Sequence, residues 1–186
     1  MKLYVCCLSL LTVLMFPKNS YSTTMMEQDV ETVMARAGYV VSATVLDITS
    51  RVENNTPFEY ITLKVKEVHK QDASFPIYEY DEITIRLLGG QVEDKKLDID
   101  GRPEFVEDED VFVALNLGEN RFFYVVGNVQ GLYHVAGSKL INDAAESNAM
   151  FVRKGETGET KFVVPSGEQK TIQEMKAIIE KVEEEK

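Results

Sequence analysis

The spacing of apolar residues changes period several times along the chain, and each change marks an element. Val30, Val33, Met34 and Ala37 recur at i, i+3, i+4 and i+7, one face of a helix. The period predicts a helix over 25–37, capped by Thr23 or Thr24 and ended by Gly38. From Tyr39 the period becomes two. Tyr39, Val41, Ala43 and Val45 alternate with Val40, Ser42, Thr44 and Leu46, so the start of this strand is apolar on both faces and lies in the interior. Asn54-Asn55-Thr56-Pro57 reads as a turn. The next strand alternates cleanly, with Ile61, Leu63 and Val65 inward and Thr62, Lys64 and Lys66 outward. At Glu67-Val68 the alternation slips by one, the mark of a bulge.

Four more strands follow. Ile83, Ile85 and Leu87 form one, stopped by Gly89-Gly90; Val111 to Leu117 and Arg121 to Val126 form a hairpin around Gly118-Glu119-Asn120; Leu132 to Ala136 is short. Between Gln91 and Asp110 lies a long acidic loop. Beyond Gly137, residues 142–149 read as a loop or weak helix, and Met150 to Lys154 and Glu159 to Val164 flank a second hairpin turn at Gly155-Glu156-Thr157-Gly158. Thr171-Ile172-Gln173-Glu174 is a capping box opening a final helix, whose last turn should fray because Glu183 to Glu185 oppose its dipole. The expected architecture is mainly β: a small OB-fold-like antiparallel β-barrel with N- and C-terminal helices and an extra C-terminal hairpin.

Leu3 to Phe16 is an uncharged, mostly apolar run of fourteen residues after Met1-Lys2. It is shorter than the roughly 20 residues a membrane-spanning helix needs. Together with Ser20-Tyr21-Ser22 it has the form of a secretory signal peptide, with cleavage between Ser22 and Thr23. The expected divisions are a signal peptide over 1–22, a barrel domain over 23–137, and a hairpin and helix over 138–186 packed on the same domain. Both cysteines, Cys6 and Cys7, fall in the first division. The processed chain then has no disulfide, thiolate metal site or cysteine nucleophile, and no membrane span.

The 186 residues carry 20 Lys plus Arg against 31 Asp plus Glu, a formal charge of −11. Residues 1–22 hold two lysines and no acid, so the remainder carries −13. That balance argues against nucleic acid, whose binding is driven by Lys and Arg on phosphate. His69 and His134 stand alone in sequence and have no second histidine at ligand spacing. Asp98 and Asp100 begin a calcium-loop pattern with Glu109 at its twelfth position, but Arg102 and Pro103 occupy the fifth and sixth, where a ligand and a glycine belong. Neither a metal nor a cofactor is expected. Glu107-Asp108-Glu109-Asp110 is a charged turn before a buried strand, without the apolar pocket that a catalytic carboxylate pair requires.

Ala37-Gly38-Tyr39-Val40-Val41-Ser42-Ala43-Thr44-Val45 resembles the first strand of a family of bacterial exported proteins of uncharacterised role. Further pieces match in the same order: Thr62 to Lys70, Ile83-Thr84-Ile85-Arg86 with Gly89-Gly90, Gly101-Arg102-Pro103-Glu104-Phe105, Val111 to Leu115, and Val126 to Gly131. Asp108-Glu109 stands where the family has Gly-Glu, and nothing from Gly137 onward is covered. The resemblance implies an OB-fold core related in shape to the netrin-like domain of metalloprotease inhibitors. It does not carry over their mechanism, which uses an N-terminal disulfide-bonded cysteine. It implies no enzymatic residue. The expected role is a non-enzymatic exported module that contacts a secreted or envelope protein through a barrel face and the acidic loop, with Phe105, Glu107, Asp108, Glu109 and Asp110 as contacts. A structural envelope component is the alternative, and an inhibitor-like regulator of an exported metalloprotease a more remote one.

Overall fold

The computed structural model describes residues 23–155, 158–167 and 169–185. The apolar leader, the Ser22 side of the expected cleavage site and the middle of the second hairpin turn lie outside these residues. Thr23 is described, and its carbonyl accepts the Met150 amide at 3.0 Å.

The fold is mainly β with two helices. Its largest unit is built on β2 (Tyr39–Glu53), β3 (Thr56–Lys70), β4 (Glu82–Leu88), β7 (Asp110–Leu117) and β8 (Phe123–Val125). These five close into a ring: β7 pairs with β2, β2 with β3, β3 with β4, β4 with β8, and β8 again with β7. All the pairings are antiparallel except β4 with β8, which is parallel. From β7 the sheet also extends through β9 (Leu132–Ala136) and β10 (Lys139–Ile141) to β13 (Lys170–Thr171).

The ring is filled by the inward residues of its strands. Tyr39, Val41, Ala43 and Val45 of β2 meet Ile61, Leu63, Val65, Ile83, Ile85, Val111, Val113 and Leu115 there, all buried. Val65 and Val68 both pack on this core although three residues apart, and the odd step is taken up by bulges. The β2–β3 register skips Lys66 and His69, one on each side of the slip read at Glu67-Val68, and skips Leu46 on β2. Each bulge adds local twist, which a sheet needs to curl onto itself. The β2–β3 turn is as tight as the sequence implies: Asn54 and Asn55 both take positive φ, 47° and 68°, the conformation of a two-residue type I′ hairpin.

The opposite face of β2 and β7 is covered by helices. Val40, Phe112 and Ala114 pack with Val33 and Met34 of α1 (Val30–Arg36) and with Met175, Ile179 and Val182 of α2 (Ile172–Glu184). The buried Lys70 joins this layer to the sheet. Its Nζ donates to the Met34 carbonyl at 2.8 Å, near the α1 C-terminus where a cation suits the dipole, and stands 2.9 Å from Glu183 Oε1 of α2. Thr171 and Glu174 form the capping box. Helix α2 nonetheless runs to Glu184, and the Glu183–Lys70 pair gives its last turn a tertiary anchor where the sequence implied fraying.

Two boundaries differ from those read in the sequence. The first helix begins at Val30, not at 25, and Asp29 caps it by accepting the Thr32 amide at 2.7 Å. Residues 24–26 form β1 (Thr24–Met26), parallel to β11 (Met150–Lys154), and Met25 is buried with Val129, Ala144 and Phe151. The periodic residues Val30, Val33 and Met34 are helical as read, while the expected extension back to 25 gives way to a strand pairing 126 positions away, Met25 with Phe151. Likewise β8 starts at Phe123, since the Gly118 amide bonds the Phe122 carbonyl and lengthens the turn. Strand β12 (Thr160–Val163) pairs with β11, completing a separate three-stranded sheet.

With Leu63 fully buried in the ring and Lys64 exposed on the same strand, Leu63→Ala should cost about 2–5 kcal/mol in a urea titration. Lys64→Ala should stay within about 0.5 kcal/mol. Equal losses would show that the two side chains do not occupy different environments.

Candidate functional site

The long segment after β4 is not an open loop. Residues β5 (Gly90–Val92) and β6 (Lys95–Leu97) make a small hairpin that folds back toward the ring. Gly90 allows the approach. Its φ is 111°, and a Cβ there would lie 2.8 Å from the Glu59 carboxylate. Glu59 itself continues the inward series Val65, Leu63, Ile61 one step beyond the core. At this end of the ring the half-buried Arg102 donates to Glu59 Oε2 at 2.8 Å.

Between this segment and residues 143–148 lies a cavity of about 600 Å³. Glu59, Asp98, Asp100, Glu104, Asp143 and Glu146 bring six carboxylates to its wall, against Lys96 and Arg102. Both cations are engaged, Lys96 with Asp98 at 2.7 Å and Arg102 with Glu59. Asp100, Glu104 and Glu146 make no ion pair among the described residues. The potential inside is therefore negative, and low-dielectric walls strengthen it. Sequence reasoning marked Asp98 and Asp100 but missed Asp143 and Glu146, which are some 45 positions away and arrive through a 3-10 turn at 143–145.

The run from Phe105 to Asp110 sits differently. Phe105 is half-buried against the ring core. Glu107 and Asp108 are exposed, but the Glu107 carboxylate accepts the Ile48 amide at 3.3 Å and the Asp108 amide donates to the Val45 carbonyl at 2.9 Å. Glu109 Oε2 is 3.1 Å from His134 Nδ1. Asp110 accepts from Thr44 Oγ1 at 2.8 Å and from Lys66 Nζ at 2.5 Å, and the lysine bond holds its carboxyl below the usual range. The run is stitched to β2, β3 and β9.

The calcium-loop residues do not converge. Glu109 faces His134, whereas Asp98 and Asp100 line the cavity. Among the described residues no three His, Cys, Asp or Glu side chains are grouped to hold a metal ion.

Each histidine acquires partners that its sequence neighbourhood did not reveal. His134 lies between two carboxylates, with Nε2 2.9 Å from Asp143 Oδ2 and Nδ1 near Glu109. The Nδ1 contact with Glu109 has ion-pair distance without a hydrogen bond. The imidazole thus ties one wall of the cavity to β9. His69 is buried by its bulge, stacked on Phe112 at 4.9 Å, with Nε2 2.7 Å from Ser42 Oγ and Nδ1 3.8 Å from Glu67. Ser42, His69 and Glu67 have the composition of a hydrolytic triad. However, β2 is paired on both sides at Ser42, with Glu67 and with Phe112, so neighbouring amides belong to the ladders. An oxyanion needs such amides free.

A second surface lies on the outside of β2 to β4. Arg86 stacks on Phe58 at 3.7 Å and pairs with Glu53, and Arg51 lies over Tyr60 at 5.1 Å. Its cations are used within the cluster. No helix among the described residues is long and apolar enough to cross a membrane. The chain matches no protein-family model, and no curated protein is significantly similar to it.

Burial pushes the His69 imidazole below its ordinary value near 6.5, with Glu67 opposing the shift and Lys176 adding to it. On acidification the unfolded chain takes up this proton first. Stability should therefore fall as pH drops through the ordinary histidine range, by at most about 1.4 kcal/mol per pH unit. Denaturation between pH 7.5 and 5.5 should show a shallower slope for His69→Gln than for the native chain. Identical slopes would mean that His69 is not held neutral.

Proposed function

We propose that this chain is an exported, non-enzymatic binding module that holds a basic segment of a secreted or envelope protein in the cavity between residues 90–104 and 143–148. The observation that carries this reading is the charge of that cavity, six carboxylates facing two cations that are already paired. Lys or Arg side chains of a partner would meet Asp100, Glu104 and Glu146, which have no cation of their own. Glu107 and Asp108, exposed on the same connection, extend the contact beyond the cavity. Phe105 packs against the ring core, and Glu109 and Asp110 fix the run in place.

The five-stranded ring is read as an OB-fold-like barrel, with β2, β3, β4, β7 and β8 as its strands. Its support is the Greek-key order: the third strand meets the fifth, and the fourth returns beside the first. Such barrels bind through a face and the loops around it. Export rests on the short apolar leader and the Ser22–Thr23 site, and the intact mass of the secreted protein should begin at Thr23. A non-enzymatic role is supported by the ladder-bound surroundings of Ser42.

A lysine- and arginine-rich decapeptide serves as probe. Its affinity should fall as salt is raised past about 0.1 M, where screening acts within about 10 Å. Neutralising the cavity with Asp100→Asn, Glu104→Gln and Glu146→Gln together should weaken it about tenfold, since exposed charge pairs contribute about 0.2–1 kcal/mol each. The melting temperature should hardly move. Binding that ignores both salt and the triple variant would remove the cavity from the proposal.

A further inference from the structure

The three-stranded sheet ends on an open edge. Among the described residues β12 pairs with β11 alone. The Gly155 amide bonds the Glu159 carbonyl at 2.7 Å, and hydrogen-bonded pairs of an antiparallel ladder recur at every second residue. Lys161 and Val163 therefore turn their N–H and C=O groups toward β11. Thr160, Phe162 and Val164 turn theirs outward.

The side chains at this edge are apolar. Phe162 and Val164 are 75% and 80% exposed, and Met26 and Met150 on the same face are 48% and 41% exposed. The registers Met26↔Val152 and Val152↔Phe162 align an apolar row across all three strands. That row stops at the edge. A lipid surface would leave the outward amides without partners. Another strand would satisfy them.

The segment 160–164 is complementary to itself. Around a two-fold axis at Phe162, Phe162 faces its own copy, Thr160 faces Val164 and Lys161 faces Val163. No like charges stand opposite each other. The one charge within the segment, Lys161, already lies 2.8 Å from Glu159. In a chain of net charge −11, two copies can approach here without setting acid against acid. Pro165, on the side that faces β11, has no N–H to give that strand, and β12 ends before it.

We infer that two copies of this chain associate through β12, antiparallel about a two-fold axis at Phe162, to make one six-stranded sheet. The apolar row then runs unbroken from Met26 of one copy to Met26 of the other. An edge of this length is small beside the roughly 1,200–2,000 Å² of a stable interface, so the dimer forms and dissociates with concentration. The inference is independent of the acidic cavity.

Sedimentation of the purified protein over a wide concentration range tests it. The average mass should climb toward twice the monomer value, and Phe162→Glu should hold it at the monomer with an unchanged melting temperature, because Phe162 is not in the core. Cross-linking tests the register, with Cys6 and Cys7 replaced by Ser. Phe162→Cys should form an intermolecular disulfide, since facing Cα atoms of a hydrogen-bonded pair are about 5.5 Å apart. Lys161→Cys should not, as its own copy lies diagonally, beyond about 7 Å. A monomer at every concentration, or a dimer that survives Phe162→Glu, would overturn the inference. Cross-linking through Lys161→Cys as readily as through Phe162→Cys would overturn the register.

Discussion

The structure depends on a strand that is buried on both sides. Tyr39, Val41, Ala43 and Val45 of β2 fill the ring, while Val40 between them lies beneath the helices. Neither layer can be removed without exposing the other side of the same backbone, so ring and helices are one cooperative unit. Past Val45 the constraint lapses. Leu46 is exposed, and the remainder of β2 runs out with β3 to the Asn54-Asn55 turn. Lys70 closes the seam at the protected end. Its ammonium is buried, which is costly for an isolated charge, and the Met34 carbonyl and Glu183 carboxylate offset that cost.

Much of this was legible in the residues. A strand apolar on both faces requires cover on both faces, and β2 has it. The inward series of β3 and the capping box at Thr171 also occur as their local patterns imply. Where reading failed, the deciding contact was distant. Met25, read as the start of the first helix, lies instead in a parallel strand beside β11. Glu107 to Asp110 is the charged turn before a buried strand that the sequence implies, but nothing nearby in sequence tells Glu109 that it faces His134 or Asp110 that it faces Lys66. The cavity was invisible for the same reason, as its two walls come from segments that alternation does not describe.

Charge is arranged unevenly as a result. Along the Asp110 and Glu67 contacts acids are matched by Lys66 and Lys176. The excess collects where the backbone is least regular, around Asp100, Glu104 and Glu146. Unpaired acid there is tolerated because the cavity opens to solvent. The same residues set against Val40 or Phe112 would have to be neutralised.

The cavity and the small sheet nonetheless share a foundation. Met25 of β1, Phe151 of β11, Val129 and Ala144 form one buried cluster, joined by Ala149 and Val163. Val129 lines the cavity, and Ala144 belongs to the turn that carries Asp143 to its wall. Gly101, at the foot of the other wall, packs so closely that a Cβ there would lie 2.7 Å from both Ala149 and Met25. A displacement of β1 or β11 must therefore move both walls, since close-packed groups transmit strain instead of absorbing it. The acid-rich concavity and the apolar edge are different surfaces chemically, but mechanically each is seated on the same few side chains.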